Sequence, residues 1–83
     1  MTADQGAVRP LHEIAKEIGG DWPNTYLGAY PYLNAMRELD KITDQYGADT
    51  ARSIVSYFLS NAQSWRGETA RRVKAELKAM LGR

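Results

Sequence analysis

"ARSIVSYFLSNAQSWRGETARRVKAEL", residues 51–77, decides what kind of fold this chain can have. Ala51, Ile54, Val55, Phe58, Leu59 and Ala62 recur at the spacing of one helix face, without a miss. After Trp65 and Gly67 the spacing resumes. Ala70, Val73 and Leu77, with Met80 and Leu81 just beyond, form a second apolar stripe. Two amphipathic helices therefore meet at a tryptophan–glycine corner. From Ser53 through Trp65 no residue is charged. A solvated helix face usually carries Lys or Glu. Here Ser53, Ser56 and Ser60 line the side opposite the stripe. That pattern predicts a helix at the centre of a bundle or at a chain–chain interface, its serine side close against other backbone. Ser53, Ser56 and Ser60 are thus candidate self-association residues.

Upstream, Leu11, Ile14, Ala15 and Ile18 predict a first helix that opens near Pro10 and ends at Gly19–Gly20. Residues 21–33, "DWPNTYLGAYPYL", are punctuated by Pro23, Gly28 and Pro31 and predict an aromatic loop. It holds Trp22, Tyr26, Tyr30 and Tyr32. These either roof a thin core or form an anchor patch, since Trp and Tyr dominate hot spots at protein interfaces. Pro31 opens a second helix whose face carries Tyr32, Ala35, Met36, Leu39 and Ile42 or Tyr46, with Gly47 as its end. Asp49 is the expected cap of the third helix, and Ser64 or Gly67 that of the fourth. No strand alternation, repeat or low-complexity run is present. The expectation is an all-α fold: a compact bundle of three to four short helices with an aromatic-rich loop between helices one and two. Residues 1–8 read as a disordered tail and 9–83 as a single helical domain.

With 83 residues the chain has room for one domain. A domain this small buries only about 60–65% of the surface its unfolded chain exposes, and pairing of chains is a common remedy. A homodimer is expected on that ground. The absence of cysteine excludes disulfides and thiolate metal sites. "MTADQGAVRP" does not read as a signal peptide, and no apolar run approaches the roughly 18 residues of a membrane span. A soluble, cytoplasmic protein without membrane contact is expected.

The chemistry of an enzyme is missing from the residue inventory. His12 is the single histidine, which rules out the usual catalytic triads and two-histidine metal sites within one chain. It falls on the polar side of helix one, as an exposed surface residue. No phosphate-cradling glycine loop occurs. No catalytic residue, metal site or cofactor is assigned, and the chain is expected not to be an enzyme.

Charge is unevenly spread. Residues 1–65 hold five basic and eight acidic groups, and residues 66–83 hold six basic groups against Glu68 and Glu76. The net is −3 in the first segment and +4 in the second, within an overall +1. Such asymmetry suits an acidic partner or an attraction between the two ends of the same fold. On helix four, Glu68 can pair with Arg72 four residues on. Arg71, Lys74 and Lys78 then form a flank without an acidic neighbour in the helix. They are candidate partner-binding residues, together with Trp22, Tyr26 and Tyr30. The alternative for the flank is a solvated face, or one neutralised by acids such as Asp40 and Asp44.

The segments "YLGAYPYLNAM" (26–36), "YGADTA" (46–51) and "IVSYFLSNAQSWRGETARRVKAELKAML" (54–81) resemble a family of small hypothetical proteins encoded by actinobacterial phages. The likeness spans most of residues 10–81; Leu27 stands where that family suggests Phe, a conservative change for packing. The resemblance implies a setting, a phage protein in the host bacterial cytoplasm that binds a host protein, and transfers no activity, cofactor or residue role. The expected function is therefore a small non-catalytic, self-associating protein that binds a host-cell protein. The alternative is a nucleic-acid-binding regulator that uses helix three, the turn and helix four, with Arg66, Thr69, Arg71 and Arg72 near the reading end.

Overall fold

The computed structural model describes residues 8–82. The expected tail over residues 1–8 lies, apart from Val8, outside the described residues. Four helices form the fold: α1 (Leu11–Asp21), α2 (Tyr30–Met36), α3 (Ala51–Ser60) and α4 (Glu68–Leu81). A two-strand hairpin, β1 (Gln45–Tyr46) and β2 (Asp49–Thr50), sits between α2 and α3. The helices pack as a ring, α1 on α2, α2 on α3, α3 on α4 and α4 back on α1. The expected all-α bundle is the fold observed, with the hairpin as an addition.

The three long stripes turn inward as their periodicity requires. Leu11, Ile14, Ala15 and Ile18 of α1 meet Ile54, Val55 and Phe58 of α3 and Val73, Leu77 and Met80 of α4 in one core. Leu33 and Met36 of α2 close its side, and Leu39 follows them inward. No polar or charged residue is buried among the described residues. The core is therefore held chiefly by apolar contact, at roughly 25 cal/mol per Å² removed from water.

Several boundaries differ from the sequence expectations. The glycine pair does not end α1, which runs through Gly19 and Gly20 to Asp21 and closes with the Trp22 N–H on Ile18 O. Two glycines cost a helix only about 1 kcal/mol each, less than the packed stripe supplies. The Arg37 guanidinium also lies over Gly19, 2.8 Å from where a Cβ would stand.

Helix α2 stops at Met36 rather than at Gly47. The chain beyond it is spent on a different task. Pro10 offers α1 no side-chain cap, and the Leu11 and His12 N–H groups donate instead to Asp40 O and Leu39 O, each at 2.9 Å. Residues 39–40 thus satisfy the open donors of a helix start, and they could not do so inside a helix of their own. Asp44 holds that turn by accepting from the Asp40 and Lys41 N–H groups.

Gly47 is the first residue of the hairpin turn, at φ 62°. Ala48 keeps a negative φ, the pattern of a glycine-first two-residue loop. The pairing is antiparallel, Gln45 with Thr50 and Tyr46 with Asp49. Asp49 is thereby taken into a strand, and Thr50 caps α3 in its place by accepting from the Ser53 N–H. Ser64 does not cap α4; Gly67 precedes that helix, at φ 112° and ψ −178°. This is backbone that essentially only glycine adopts.

Candidate functional site

The corner between α3 and α4 is built around Trp65. Past Ser60 the chain tightens into successive turns, with the Ala62 N–H on Leu59 O and the Trp65 N–H on Ala62 O. These turns drive the indole inward, where it is 2% exposed. It stacks on Trp22 with ring centres 5.8 Å apart and planes 10° from parallel. Phe58 meets both indoles edge-on, at 6.3 Å from Trp65 and 6.4 Å from Trp22. The Trp65 Nε1–H donates to Asp21 Oδ2 at 2.9 Å. Trp65 is the packed corner that the sequence suggests.

Lys74 of α4 binds the same residue from outside. Its Nζ donates to Trp65 O at 2.7 Å and stands 5.8 Å from the ring centre. The ammonium pKa is pushed down, chiefly by burial and then by the like charges of Arg66 and Lys78. Of the expected strip, then, Lys74 is half-buried and engaged, while Arg71 and Lys78 are exposed. Neither Arg71 nor Lys78, nor the nearby Arg66, forms an ion pair among the described residues. Asp40 and Asp44 do not neutralise this flank.

On the opposite flank of α4, Arg72 and Glu76 are each paired. Arg72 binds Glu17 of α1 and not Glu68 as the wheel of a lone helix suggests. Arg9 donates to Glu17 at 2.8 Å and to Glu76 at 2.7 Å, so two cations and two acids alternate across the α1–α4 seam. The hydrogen bonds from Arg72 and then Arg9 hold the Glu17 carboxyl below its usual range. Along this seam the acidic and basic segments do attract each other within the fold.

The aromatic loop divides. Trp22 is half-buried against the core, and Thr25 ties the turn with its hydroxyl on Trp22 O at 2.6 Å. Tyr26 and Tyr30 do not roof the core; they are 54% and 47% exposed. Leu27, which the residue pattern did not single out, is 79% exposed. Its sequence signals are its place between Tyr26 and Gly28 in the aromatic loop and its standing where the resembled family suggests Phe. Tyr57, on the α2 side of α3, is 52% exposed and its ring lies 5.4 Å from that of Tyr32. The serines of α3 are not buried against other backbone among the described residues. Ser56 and Ser60 are exposed, and Ser53 is half-buried beside Thr50. His12 is exposed.

Two shallow depressions flank the corner and share Gln63. One, of about 370 Å³, is lined by Tyr26, Ser60, Asn61, Gln63 and Ser64. The other, of about 390 Å³, lies between Trp65, Gly67 and Ala70 with Arg66, Arg71 and Lys74 at its edge. The first is uncharged and the second is cationic. Among the described residues no group of three His, Asp or Glu side chains is placed to hold a metal, and no helix is long and apolar enough to cross a membrane. No protein-family model matches this chain, nor does any curated protein or solved structure.

Proposed function

We propose that this chain is a small, non-catalytic interaction protein that pairs with a second copy through the outer side of α3 and binds a further protein at the α3–α4 corner. In the phage setting implied by the sequence resemblance, that further protein is a host protein in the bacterial cytoplasm. The observation that carries this reading is an exposed surface without charge. Ser56, Tyr57 and Ser60 of α3 and Tyr26, Leu27 and Tyr30 of the aromatic loop are all exposed, and Tyr26 and Ser60 line the same depression. Exposed apolar and aromatic groups gathered in one region mark association sites on small proteins, and tyrosine with serine makes adaptable contact surfaces.

Two measurements test it. Light scattering at about 100 µM, well above the range where ordinary dimers dissociate, should give the mass of two chains. Ser56→Arg should reduce it to one, because a charge then enters the paired face. A wild-type mass of one chain refutes self-association. Capture of a protein by the tagged chain from host lysate, unchanged by nuclease, supports partner binding; material lost entirely with nuclease favours nucleic acid.

The nucleic-acid reading rests on one observation, the unpaired cations Arg66, Arg71 and Lys78. Against it, residues 61–67 make a longer connection than the three or four residues of a helix-turn-helix. Arg72, a would-be reading residue, is committed to Glu17.

A further inference from the structure

We infer that the paired depressions at the α3–α4 corner take an acidic segment of a partner protein, its carboxylates over Arg66 and Arg71 and an uncharged end against Tyr26 and Asn61. This rests on the interaction reading above and names the chemistry of the partner.

Charge decides the cationic half. Arg66, Arg71 and Lys74 line one depression, and the Lys74 pKa is lowered chiefly by burial and then by the like charges of Arg66 and Lys78. Among the described residues no acid pairs with these cations, and several acids are engaged elsewhere. Glu17 and Glu76 serve the far flank of α4, Asp44 a turn and Asp21 the Trp65 indole. Exposed arginines left in this state gain most from carboxylates brought by a partner.

The uncharged half decides between partners. A nucleic-acid strand carries a phosphate at every nucleotide, so its charge would continue over Tyr26, Ser60, Asn61 and Ser64, where no cation lines the depression. A peptide can be acidic at one end and uncharged at the other, which is the order of this surface. Its dimensions also fit. Arg71 and Lys78 are seven residues apart on α4, about 10 Å along the axis. Side chains on one edge of an extended peptide repeat every 7 Å or so, so two or three acidic residues span the cations. Amide and hydroxyl groups of Asn61, Gln63 and Ser64, with the Tyr26 ring, then meet the uncharged remainder.

The test is selection of random peptides of about 12 residues, long enough in extended form to cross both depressions, against the full chain. Selected peptides are remeasured by fluorescence anisotropy. Enriched peptides should join an Asp/Glu cluster to an uncharged stretch with aromatic or amide side chains. Binding should weaken at least about tenfold in the double variant Arg66→Glu/Arg71→Glu, whose melting point should be no lower than wild type because both side chains are exposed and Arg66 repels Lys74. A copy of the peptide with lysines for its acids should bind that variant and not the wild type. Enrichment without acidic bias, binding indifferent to the charge reversal, or no enrichment at all overturns the inference. So does an oligothymidylate of equal length that binds more tightly than every peptide. Acidic peptides that are lost with Ser56→Arg but kept by the double variant also overturn it, yet leave the interaction reading standing.

Discussion

Replacing Trp65 by alanine tests whether the corner is architecture or contact surface. Trp65 is 2% exposed and touches two aromatic partners, Trp22 by stacking and Phe58 edge-on. Truncation removes most of that side chain from the core. A buried tryptophan cut to alanine costs about 3–5 kcal/mol. The loss of the Nε1–H bond adds little, because Asp21 is exposed and water replaces the donor. Domains have about 5–15 kcal/mol in all, and one of this size falls toward the low end. Each kcal/mol moves the melting point of such a domain by about 4–8 °C. The expected fall is therefore at least about 12 °C, and a large unfolded fraction at room temperature is in range. Far-UV circular dichroism is the right probe, since the substitution removes one of the two tryptophans that fluorescence would follow. Trp65→Phe should fall between wild type and alanine, because it keeps a ring against Phe58. A drop below about 4 °C for Trp65→Ala, equivalent to less than 1 kcal/mol, would refute the packed corner. If that variant also lost a captured partner, Trp65 would be an exposed anchor and the roles here reversed.

Other outcomes follow from single contacts. Gly67→Ala should cost about 1–3 kcal/mol, since a Cβ at φ 112° is strained even with open space around it. Gly20→Ala should be neutral or stabilising by up to about 1 kcal/mol, because that glycine is helical and has nothing within 4 Å of a new Cβ. Thr50→Ala should lower stability by about 1 kcal/mol through loss of the α3 cap, while Asp49→Ala should leave the melting point nearly unmoved. The sign for Glu17 comes from its lowered pKa: its stabilisation is full above the unfolded value near 4.5 and is lost as pH falls through the folded one. Melting points measured against pH should thus show wild type above Glu17→Gln at neutral pH, by about 1 kcal/mol or less for so exposed a network, with the two curves converging in acid. Convergence at neutral pH instead would mean that the α1–α4 ion pairs contribute nothing.

What the sequence revealed and what it hid divide along a physical line. The stripes of α1, α3 and α4 are local patterns, and each turned inward as its spacing requires. The end of α2 was hidden because Leu39, Ile42 and Tyr46 continue a helical spacing that the backbone abandons. The reason lies in α1, whose first N–H groups take the carbonyls of Leu39 and Asp40, a contact across nearly thirty residues. The hairpin did have a local sign, a glycine followed by alanine between Tyr46 and Asp49, which fits a two-residue turn. The partner of Arg72 was illegible for a similar reason. A helical wheel offers Glu68 from the same helix, but Glu17 lies on α1 where packing already fixes its backbone, so the pair forms with less ordering of side chains. The sequence reading placed Arg66 near Arg71 only in the nucleic-acid alternative and left it out of the Arg71, Lys74 and Lys78 flank, because Arg66 precedes α4 and appears on no wheel of it.

That last point bears on how a thin core and a binding surface coexist. Helix α4 presents its apolar stripe to the core, which leaves two flanks. The flank toward α1 can be neutralised from within, since Arg9 and Glu17 are carried by residues that the core already positions. The flank toward the corner cannot, because the turn from Asn61 to Gly67 is occupied with burying Trp65 and brings no acid with it. Lys74 accepts the cost of partial burial there to hold Trp65 O. Its lowered pKa means that the protonated form is less favoured in the fold than in the unfolded chain, so neutralising cations beside it should stabilise the chain. An acidic group bound over Arg66 and Arg71 would act in that direction. Partner binding and the stability of the corner are then coupled, and the complex should melt at a higher temperature than the free chain.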